Sequence, residues 1–218
     1  DAQGHSQGWK GRIITNPNCS TVVIAMALAP LRQFGIEKTM VTTLQAISGA
    51  GYPGVPSWDI LGNIIPFISG EEEKIETEAR KILGSLGQGR IEDHPVRLSA
   101  TTTRVLVRDG HSCSMSVALQ QKPTPEALID AWRSFRGRPQ ELDLPSAPKQ
   151  PIAYLEEANR PQPVLDAGRE GGMGVSVGRL RRCPLFDYKF MALGHNTIRG
   201  AAGAAILNAE LMHAEGLL

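Results

Sequence analysis

Apolar and polar residues alternate along this chain with two different periods, and together they predict both strands and helices. The clearest period of two runs from His111 to Leu119, where odd-numbered residues are larger and mostly apolar and the intervening ones are Ser or Ala. This pattern is typical of a strand packed on one face. Enrichment in β-branched and apolar residues between turn signals predicts the other strands, at residues 12–15, 38–47, 98–107 and 174–180.

Helices are predicted where apolar residues recur at helical spacing, at residues 20–31, 69–83, 125–135 and 197–214. The first is almost wholly apolar, which predicts a buried helix. In the second, Ser69 and Glu72 have the spacing of a capping box. Strands and helices mixed in this order favour an α+β fold, a mixed β-sheet covered by helices, over a doubly wound one. No strand-linked GxGxxG opens a helix, so a complete dinucleotide-binding unit is missing.

Composition narrows the function classes. The 218 residues, 41% of them hydrophobic, suffice for one sizeable domain, and the net charge of +1 gives no electrostatic footprint for nucleic acid. No apolar run approaches the roughly 20 residues that span a bilayer, so no membrane association is expected. Three widely spaced cysteines fit neither a disulfide framework nor a zinc site, so we expect no metal and a reducing, cytoplasmic setting.

Cys19 lies at the predicted start of an apolar helix. Unpaired amides there carry partial positive charge, which lowers the pKa of a thiol and favours a nucleophilic thiolate. A small buried cysteine that packs as a hydrophobe fits this position equally well. The preceding turn, Asn16-Pro17-Asn18, favours the nucleophile, since polar side chains there can hold an anionic substrate at the same helix end.

His111 is the best placed of five histidines to act as a base for such a thiol. It follows a turn at Asp109-Gly110, and Arg104 lies seven positions earlier on the preceding strand. A histidine and an arginine facing one pocket would join a base to a guanidinium that grips a carboxylate through two hydrogen bonds. A surface hairpin with an incidental Arg and His remains the alternative.

Two further segments carry candidate ligand groups. Lys74 could bind a phosphate and Glu71 an ammonium group, although a solvated helix face with charge pairs explains both as well. The glycines of residues 49–51 allow close approach of a ligand to the backbone, or simply form a turn.

Together these segments resemble the aspartate-semialdehyde dehydrogenase family, in its archaeal and fungal branch. The resemblance rests on five motifs in order and extends over nearly the whole chain. They are Asn16-Pro17-Asn18-Cys19-Ser20-Thr21, the glutamine-and-glycine segment from Gln45 to Gly54, Glu71-Glu72-Glu73-Lys74, the Arg104/His111 pair, and His195-Asn196 through Gly203. The fold it implies is that of the glyceraldehyde-3-phosphate-dehydrogenase-like C-terminal domain.

The resemblance implies a role for each matching catalytic position. Cys19 would attack the aldehyde or acyl carbon and form a thioester, His111 would act as general acid and base, and Gln45 would orient the acyl group. Arg104 would bind the α-carboxylate of the substrate and Glu71 its amino group.

The same resemblance implies binding positions for phosphate and cofactor. Asn18 and Lys74 would hold phosphate, with an arginine that lies upstream in the family and has no match here. Ser48, Gly49 and Asn196 would touch the nicotinamide end of NADP. The family reduces β-aspartyl phosphate to aspartate semialdehyde with NADPH, on the route to lysine, threonine, methionine and isoleucine.

The chain departs from the family by lacking its first half, which supplies the Rossmann domain. We therefore expect residues 1–18 to be a remnant of the preceding domain with the active-site turn, and residues 19–194 to be the catalytic and dimerisation domain. Residues 195–218 would be a C-terminal helix that packs on the missing domain. Its small-residue face would then lack a partner: Gly200, Ala201, Gly203, Ala204 and Ala205.

The resemblance also implies how such a fragment behaves. NADP belongs to the full enzyme, and the fragment alone is expected to bind none and to be inactive. A homodimer through the sheet and helix face is expected, and a tetramer in the complete enzyme. Three alternatives remain: N-acetyl-glutamyl-phosphate reductase, which has Gly where this chain has Asn18; malonyl-coenzyme A reductase, which shares most motifs; and a module that only dimerises.

Overall fold

The fold is a six-stranded mixed sheet with helices, and the computed structural model describes residue 8, residues 13–87 and residues 89–217. The strands are β1 (Ile36–Gln45), β2 (Ser85–Gly87), β3 (Arg90–Glu92), β4 (Arg97–Arg104), β5 (His111–Leu119), β6 (Ile152–Leu155), β7 (Val175–Arg182) and β8 (Tyr188–Gly194). The α-helices are α1 (Cys19–Leu28), α2 (Ser57–Ile60), α3 (Glu71–Ile82), α4 (Pro125–Ser134), α5 (Arg138–Glu141), α6 (Pro163–Asp166) and α7 (Gly203–Ala214). Short 3₁₀ segments span Ala29–Phe34, Ile47–Ala50 and Arg169–Gly172, and a π-turn spans Ile198–Ala202.

The strand order of the main sheet is β4-β1-β5-β8-β7-β6, and β2 pairs with β3 in a separate hairpin. Strands β1 and β4 are parallel, as are β6 and β7, whereas β5 and β8 run antiparallel to their neighbours. The expected α+β class with a mixed sheet is therefore confirmed.

The two faces of the sheet differ in what covers them, as β1 shows. Its odd-numbered side chains from Thr39 to Gln45 are buried toward the helices. Its even-numbered side chains point to the other face, where Met40 is 48% exposed and Leu44 is 36% exposed. One face of the sheet therefore holds the core, while the other presents apolar side chains to solvent.

The core lies between the sheet and helices α1, α3 and α4. Helix α1 is apolar on all sides because it is buried on nearly all sides, from Ser20 to Leu28. Trp132 of α4 is fully buried, and its indole N–H donates to the carbonyl of Ala27 at 2.8 Å. Each large apolar side chain buried in this way contributes about 1.5 to 3 kcal/mol.

Several predicted elements differ from the observed ones. Residues 13–15 form no strand, and residue 12 lies outside the described residues. Helix α3 begins at Glu71, after Gly70 in the left-handed conformation, so the predicted capping box with Ser69 does not form. Strands β6 and β8 carry no alternation strong enough to predict them. The strand predicted at residues 111–119 has the observed bounds of β5.

The C-terminal helix packs within its own chain on one face. A Cβ at Gly200 would lie 2.7 Å from the Cβ of Cys19, and one at Gly203 would lie 2.4 Å from the sulfur of Met173. Ala204 is also buried, whereas Ala201 and Ala205 are exposed. The prediction that this small-residue face lacks a partner is therefore wrong for three of its five members.

Candidate active site

The candidate site forms at the edge of the sheet where four neighbouring strands meet. Gln45 ends β1 beside Arg104, which ends the parallel β4. His111 begins the antiparallel β5 and pairs with Gly194 at the end of β8. The topology therefore brings Gln45, Arg104, His111 and the segment after Gly194 to one edge.

Cys19 reaches this edge from the first residue of α1. Its Sγ lies 3.2 Å from Nε2 of His111. Burial raises the pKa of the Cys19 thiol to about 11, and the negative charge of Glu71 raises it further, while backbone amides at Ser20 and Cys19 and the charge of Arg104 lower it. The expectation that the helix start lowers the thiol pKa is wrong in its net direction, because burial and Glu71 outweigh the amides.

His111 is fully buried, so the alternative of a surface hairpin is wrong. Its Nδ1 accepts a hydrogen bond from the backbone N–H of Ala46 at 3.1 Å. Burial lowers the pKa of His111 to about 3, helped by the positive charges of Arg104 and His195. The imidazole is therefore neutral across the physiological range.

Arg104 and Gln45 end the two strands that lie on one side of β5 and its His111. The guanidinium Nη1 of Arg104 donates to the carbonyl of Ala46 at 2.8 Å, and burial lowers the pKa of Arg104 while the charge of Glu71 raises it. The amide Nε2 of Gln45 donates to Glu71 at 2.6 Å and to Thr43 at 3.1 Å. Its Oε1 is buried and accepts no hydrogen bond from the described residues, which leaves a polar atom of the site unsatisfied.

Asn18 serves first as the N-cap of α1. Its Oδ1 accepts from the backbone amides of Ser20 at 2.9 Å and Thr21 at 3.2 Å, and its own N–H donates to Glu78 at 2.7 Å. These two amides are thus already satisfied by the chain itself. Lys74 lies on the same face of α3 as Glu71 and Glu78, and its position is exposed.

Ser48, Gly49 and Asn196 come together on the other side of His111. Asn196 donates from Nδ2 to the Ser48 hydroxyl at 2.8 Å and accepts from the N–H of Gly110 at 2.8 Å. A Cβ at Gly49 would lie 2.9 Å from Arg104 Nη1 and 2.9 Å from Cε1 of His111. Only a residue without a side chain fits between these two groups.

A cavity of about 490 Å³ borders this group, lined by residues that include Asp109 and His195. Burial raises the pKa of Asp109, but hydrogen bonds from Ser48 and Arg108 and the nearby His195 bring it below its usual value.

All ten predicted site residues belong to the described part of the chain. Cys19 and His111 form the centre, and seven others surround them or contact their neighbours directly. Lys74 lies apart on the exposed side of α3.

Four neighbours of the site were not singled out from the sequence: Thr43, Ala46, Glu78 and Asp109. Helical spacing carries a signal for Glu78, which lies two turns beyond Glu71 on the same face. Ala46 acts through its backbone, and an alanine in sequence gives no sign of that role.

The described residues contain no group of three or more His, Cys, Asp or Glu side chains arranged to hold a metal ion. Across the same part of the chain, none of the helices has the length and apolar character needed to cross a membrane.

Comparison with known sequences identifies matches over most of the chain. Residues 28–199 match the family model described as semialdehyde dehydrogenase, dimerisation domain. Cys19 and Asn18 lie before the matched range. The aspartate-semialdehyde dehydrogenase of Methanothermobacter thermautotrophicus is 47% identical over 216 residues, covering 98% of this chain and 62% of the relative. That of Schizosaccharomyces pombe is 50% identical over 218 residues, covering 96% of this chain and 60% of the relative.

Solved structures of aspartate semialdehyde dehydrogenases also match nearly the whole chain. A structure of aspartate semialdehyde dehydrogenase with NADP from Candida albicans matches with a TM-score of 0.89 and 43% identity, covering 99% of this chain and 62% of that one. A structure of aspartate semialdehyde dehydrogenase II complexed with ASA from Vibrio cholerae matches with a TM-score of 0.77 and 27% identity, covering 98% and 65%. The chain thus spans less than two thirds of the length of these relatives.

Proposed function

Because this chain belongs to the semialdehyde dehydrogenase dimerisation-domain family, we propose that it supplies the acyl-transfer half of an aspartate-semialdehyde dehydrogenase. The observation that carries the proposal is the contact between the Cys19 thiol and the buried imidazole of His111 at 3.2 Å. A thiol, an imidazole and an arginine at one sheet edge are the groups that covalent catalysis on a charged carbonyl compound needs.

Cys19 is the nucleophile in this proposal. With β-aspartyl phosphate, its sulfur forms a bond to the acyl carbon while the bond from that carbon to the phosphate oxygen breaks, and inorganic phosphate leaves. The product is a thioester on Cys19, and the proton lost by the thiol goes to solvent. His111, 3.2 Å from the sulfur, acts as general acid and base at the carbonyl oxygen of the substrate.

Substrate orientation falls to the charged groups around this pair. Arg104, nearly fully buried, binds the α-carboxylate, and Glu71 binds the amino group. Gln45 supports this assignment in two ways, since its Nε2 holds Glu71 at 2.6 Å and its Oε1 has no partner among the described residues. A substrate ammonium group would satisfy that oxygen by donating a hydrogen bond to it.

Phosphate and cofactor are assigned to the two flanks of the site. Lys74 and the free amide N–H₂ of Asn18 hold the departing phosphate. Ser48, Gly49 and Asn196 hold the nicotinamide end of NADP, which supplies hydride exchange when bound. On its own the chain is proposed to bind no cofactor and to perform no hydride transfer.

Homodimerisation is proposed through the open face of the sheet. The family is a dimerisation domain, and Met40 and Leu44 expose apolar surface on a face that the helices leave uncovered. The complete enzyme is proposed to associate further into a tetramer, in the cytoplasm.

Two substrates distinguish an aspartate-semialdehyde dehydrogenase from a malonyl-coenzyme A reductase. A longer polypeptide that includes this sequence is expected to form NADPH from NADP, phosphate and aspartate semialdehyde. It should not do so from NADP, coenzyme A and malonate semialdehyde, and this chain alone should form none with either. NADPH formation from the malonate compound would instead assign a malonyl-coenzyme A reductase. No NADPH from either pair would favour a module that only dimerises.

A further inference from the structure

Ala46 holds two functional side chains through one peptide segment. Its backbone N–H donates to Nδ1 of His111 at 3.1 Å, and its carbonyl accepts from Nη1 of Arg104 at 2.8 Å. The residue is fully buried, so neither bond competes with bulk water.

The segment around Ala46 is itself fixed by backbone bonds. The N–H of Ile47 donates to the carbonyl of Val107 at 2.8 Å, and that of Ser48 donates to the carbonyl of Arg108 at 3.2 Å. The N–H of Gly49 donates back to the Ala46 carbonyl at 3.1 Å. The direction of the Ala46 N–H is therefore set by the turn and not by the histidine.

A fixed donor on one ring nitrogen determines where a neutral imidazole carries its proton. Nδ1 of His111 can accept from Ala46 only through its lone pair, so the single proton must lie on Nε2. Nε2 is the nitrogen that faces Cys19 Sγ at 3.2 Å. We propose that Ala46 is a positioning residue that fixes His111 as the Nε2–H tautomer and thereby presents a hydrogen-bond donor to the sulfur and to the carbonyl oxygen that Cys19 attacks.

The charges that face His111 favour the same neutral form. Arg104 approaches from β4 and His195 from the segment after β8, and both oppose a positive imidazole. Cys19 approaches from α1, with Glu71 of α3 near it. A second proton would also set an N–H on Nδ1 against the N–H of Ala46, which would break that bond.

This inference rests on the proposed function, and it specifies how His111 takes part. In the resting site Nε2 already carries a proton, so it cannot accept the one that Cys19 loses. That proton leaves to solvent, and Nε2–H stabilises the negative charge that develops on sulfur and then on the carbonyl oxygen. Gly49 is part of the same device, because a Cβ there would lie 3.0 Å from Nε2 of His111 and 2.9 Å from Arg104 Nη1.

Nitrogen-15 NMR of the histidine rings tests the tautomer directly in the folded protein. The His111 signals are assigned by their loss in His111→Gln. The expected result is one protonated nitrogen, Nε2, and one unprotonated nitrogen, Nδ1, from pH 5 to pH 9. A proton on Nδ1, or both nitrogens protonated at pH 7, would overturn the inference.

Two glycine variants test the positioning. Gly49→Ala is expected to shift the His111 ring signals, because its methyl group displaces the imidazole from Ala46. Gly168→Ala is the matched control, since a Cβ there meets nothing within 4 Å, and it should leave them unchanged. Unchanged His111 signals in Gly49→Ala would contradict the role given to the turn. The NMR readout needs no turnover, so a Cys19 that resists acylation beside an Nε2–H His111 would refute the proposed function and leave this inference standing.

Discussion

The sulfur of Cys19 lies 3.2 Å from Nε2 of His111, although 92 positions separate the two residues in the sequence. The contact exists because α1 begins with Cys19 at the same sheet edge where β5 begins with His111. Neither side chain is poised as an ion pair, since burial holds the pKa of the thiol near 11 and that of the imidazole near 3. The resting pair is a thiol beside a neutral imidazole.

Glu71 is expected to restrain the reactivity of Cys19. Its carboxylate raises the pKa of the thiol, so Glu71→Gln should lower that pKa and increase the thiolate fraction at a given pH. Alkylation of Cys19 by iodoacetamide at pH 8 should become about 3- to 10-fold faster, since each pKa unit is a tenfold change in thiolate. Peptide mass spectrometry separates Cys19 from Cys113 and Cys183.

Glu73→Gln is the matched control for that experiment. Glu73 lies in the same first turn of α3 but is exposed, and it does not contribute to the raised pKa of Cys19. Its alkylation rate should equal that of the unsubstituted chain. Equal acceleration in both variants would show that the effect is one of overall charge and not of the contact.

His111 should make the stability of the fold depend on pH in mildly acidic solution. Its pKa falls from 6.5 in the unfolded chain to about 3 in the folded one. Below pH 6.5 the unfolded state therefore binds a proton at His111 that the folded state does not bind. Stability is thus lost as the pH falls from 6.5 toward 3. Between pH 7 and pH 5 this amounts to about 2 kcal/mol in the free energy of unfolding.

Urea unfolding of His111→Gln at both pH values checks this. The variant should lose about 2 kcal/mol less than the unsubstituted chain on going from pH 7 to pH 5, whatever its absolute stability. His213→Gln, in the last turn of α7, should keep the full dependence. An unaltered difference between the two pH values in His111→Gln would rule out His111 as its source.

Gly200 is expected to be required for the position of the nucleophile. A Cβ there would lie 2.7 Å from the Cβ of Cys19 and 3.1 Å from its Cα. Gly200→Ala should therefore destabilise the fold by about 1 to 3 kcal/mol and slow Cys19 alkylation, because α1 must shift. Gly168→Ala should stay within about 0.5 kcal/mol, since its Cβ meets nothing within 4 Å. Equal stabilities would show that α1 tolerates the added methyl group.

The open sheet face should determine the oligomeric state. Met40→Asp places a charge on the exposed face of β1 and is expected to convert a dimer into a monomer in light scattering, because burying an unpaired carboxylate is costly. Val164→Asp introduces the same charge at a residue of α6 that is 94% exposed and should leave the dimer intact. Dissociation by Val164→Asp alone would assign the interface to a different surface.

Local patterns predicted some elements well and failed where tertiary contacts decide. The bounds of β5 follow from its alternation between His111 and Leu119, which one-sided packing imposes. The start of α3 does not follow from local spacing. Gly70, in the left-handed conformation, takes the N-cap position, so Ser69 lies one residue too early to cap the helix. Strand β6 has only four residues, and β8 has no exposed residue on either face, so neither sequence shows a clear period of two.

The sequence indicates which side chains form the site, but not their burial, their pKa values or their backbone contacts. The position of Cys19 at a helix start indicates a nucleophile, yet the sign of its pKa shift depends on burial and on Glu71, which lies 52 residues further along the chain. The role of Ala46 depends on a backbone N–H and C=O that every residue except proline shares. Such groups carry no sequence signal, and only the fold reveals them.

Cofactor-free acylation of this chain tests the role of Cys19 as nucleophile most directly. β-Aspartyl phosphate, generated in place from aspartate and ATP by an aspartate kinase, is incubated with the protein without NADP, and the intact mass is followed together with the mass of the peptide that contains Cys19. An aspartyl adduct that hydroxylamine removes is expected on Cys19, together with its absence in Cys19→Ser and a strong reduction in Arg104→Leu. A folded chain that forms no adduct on Cys19, or forms it equally on Cys113 and Cys183, would show that Cys19 is not the nucleophile.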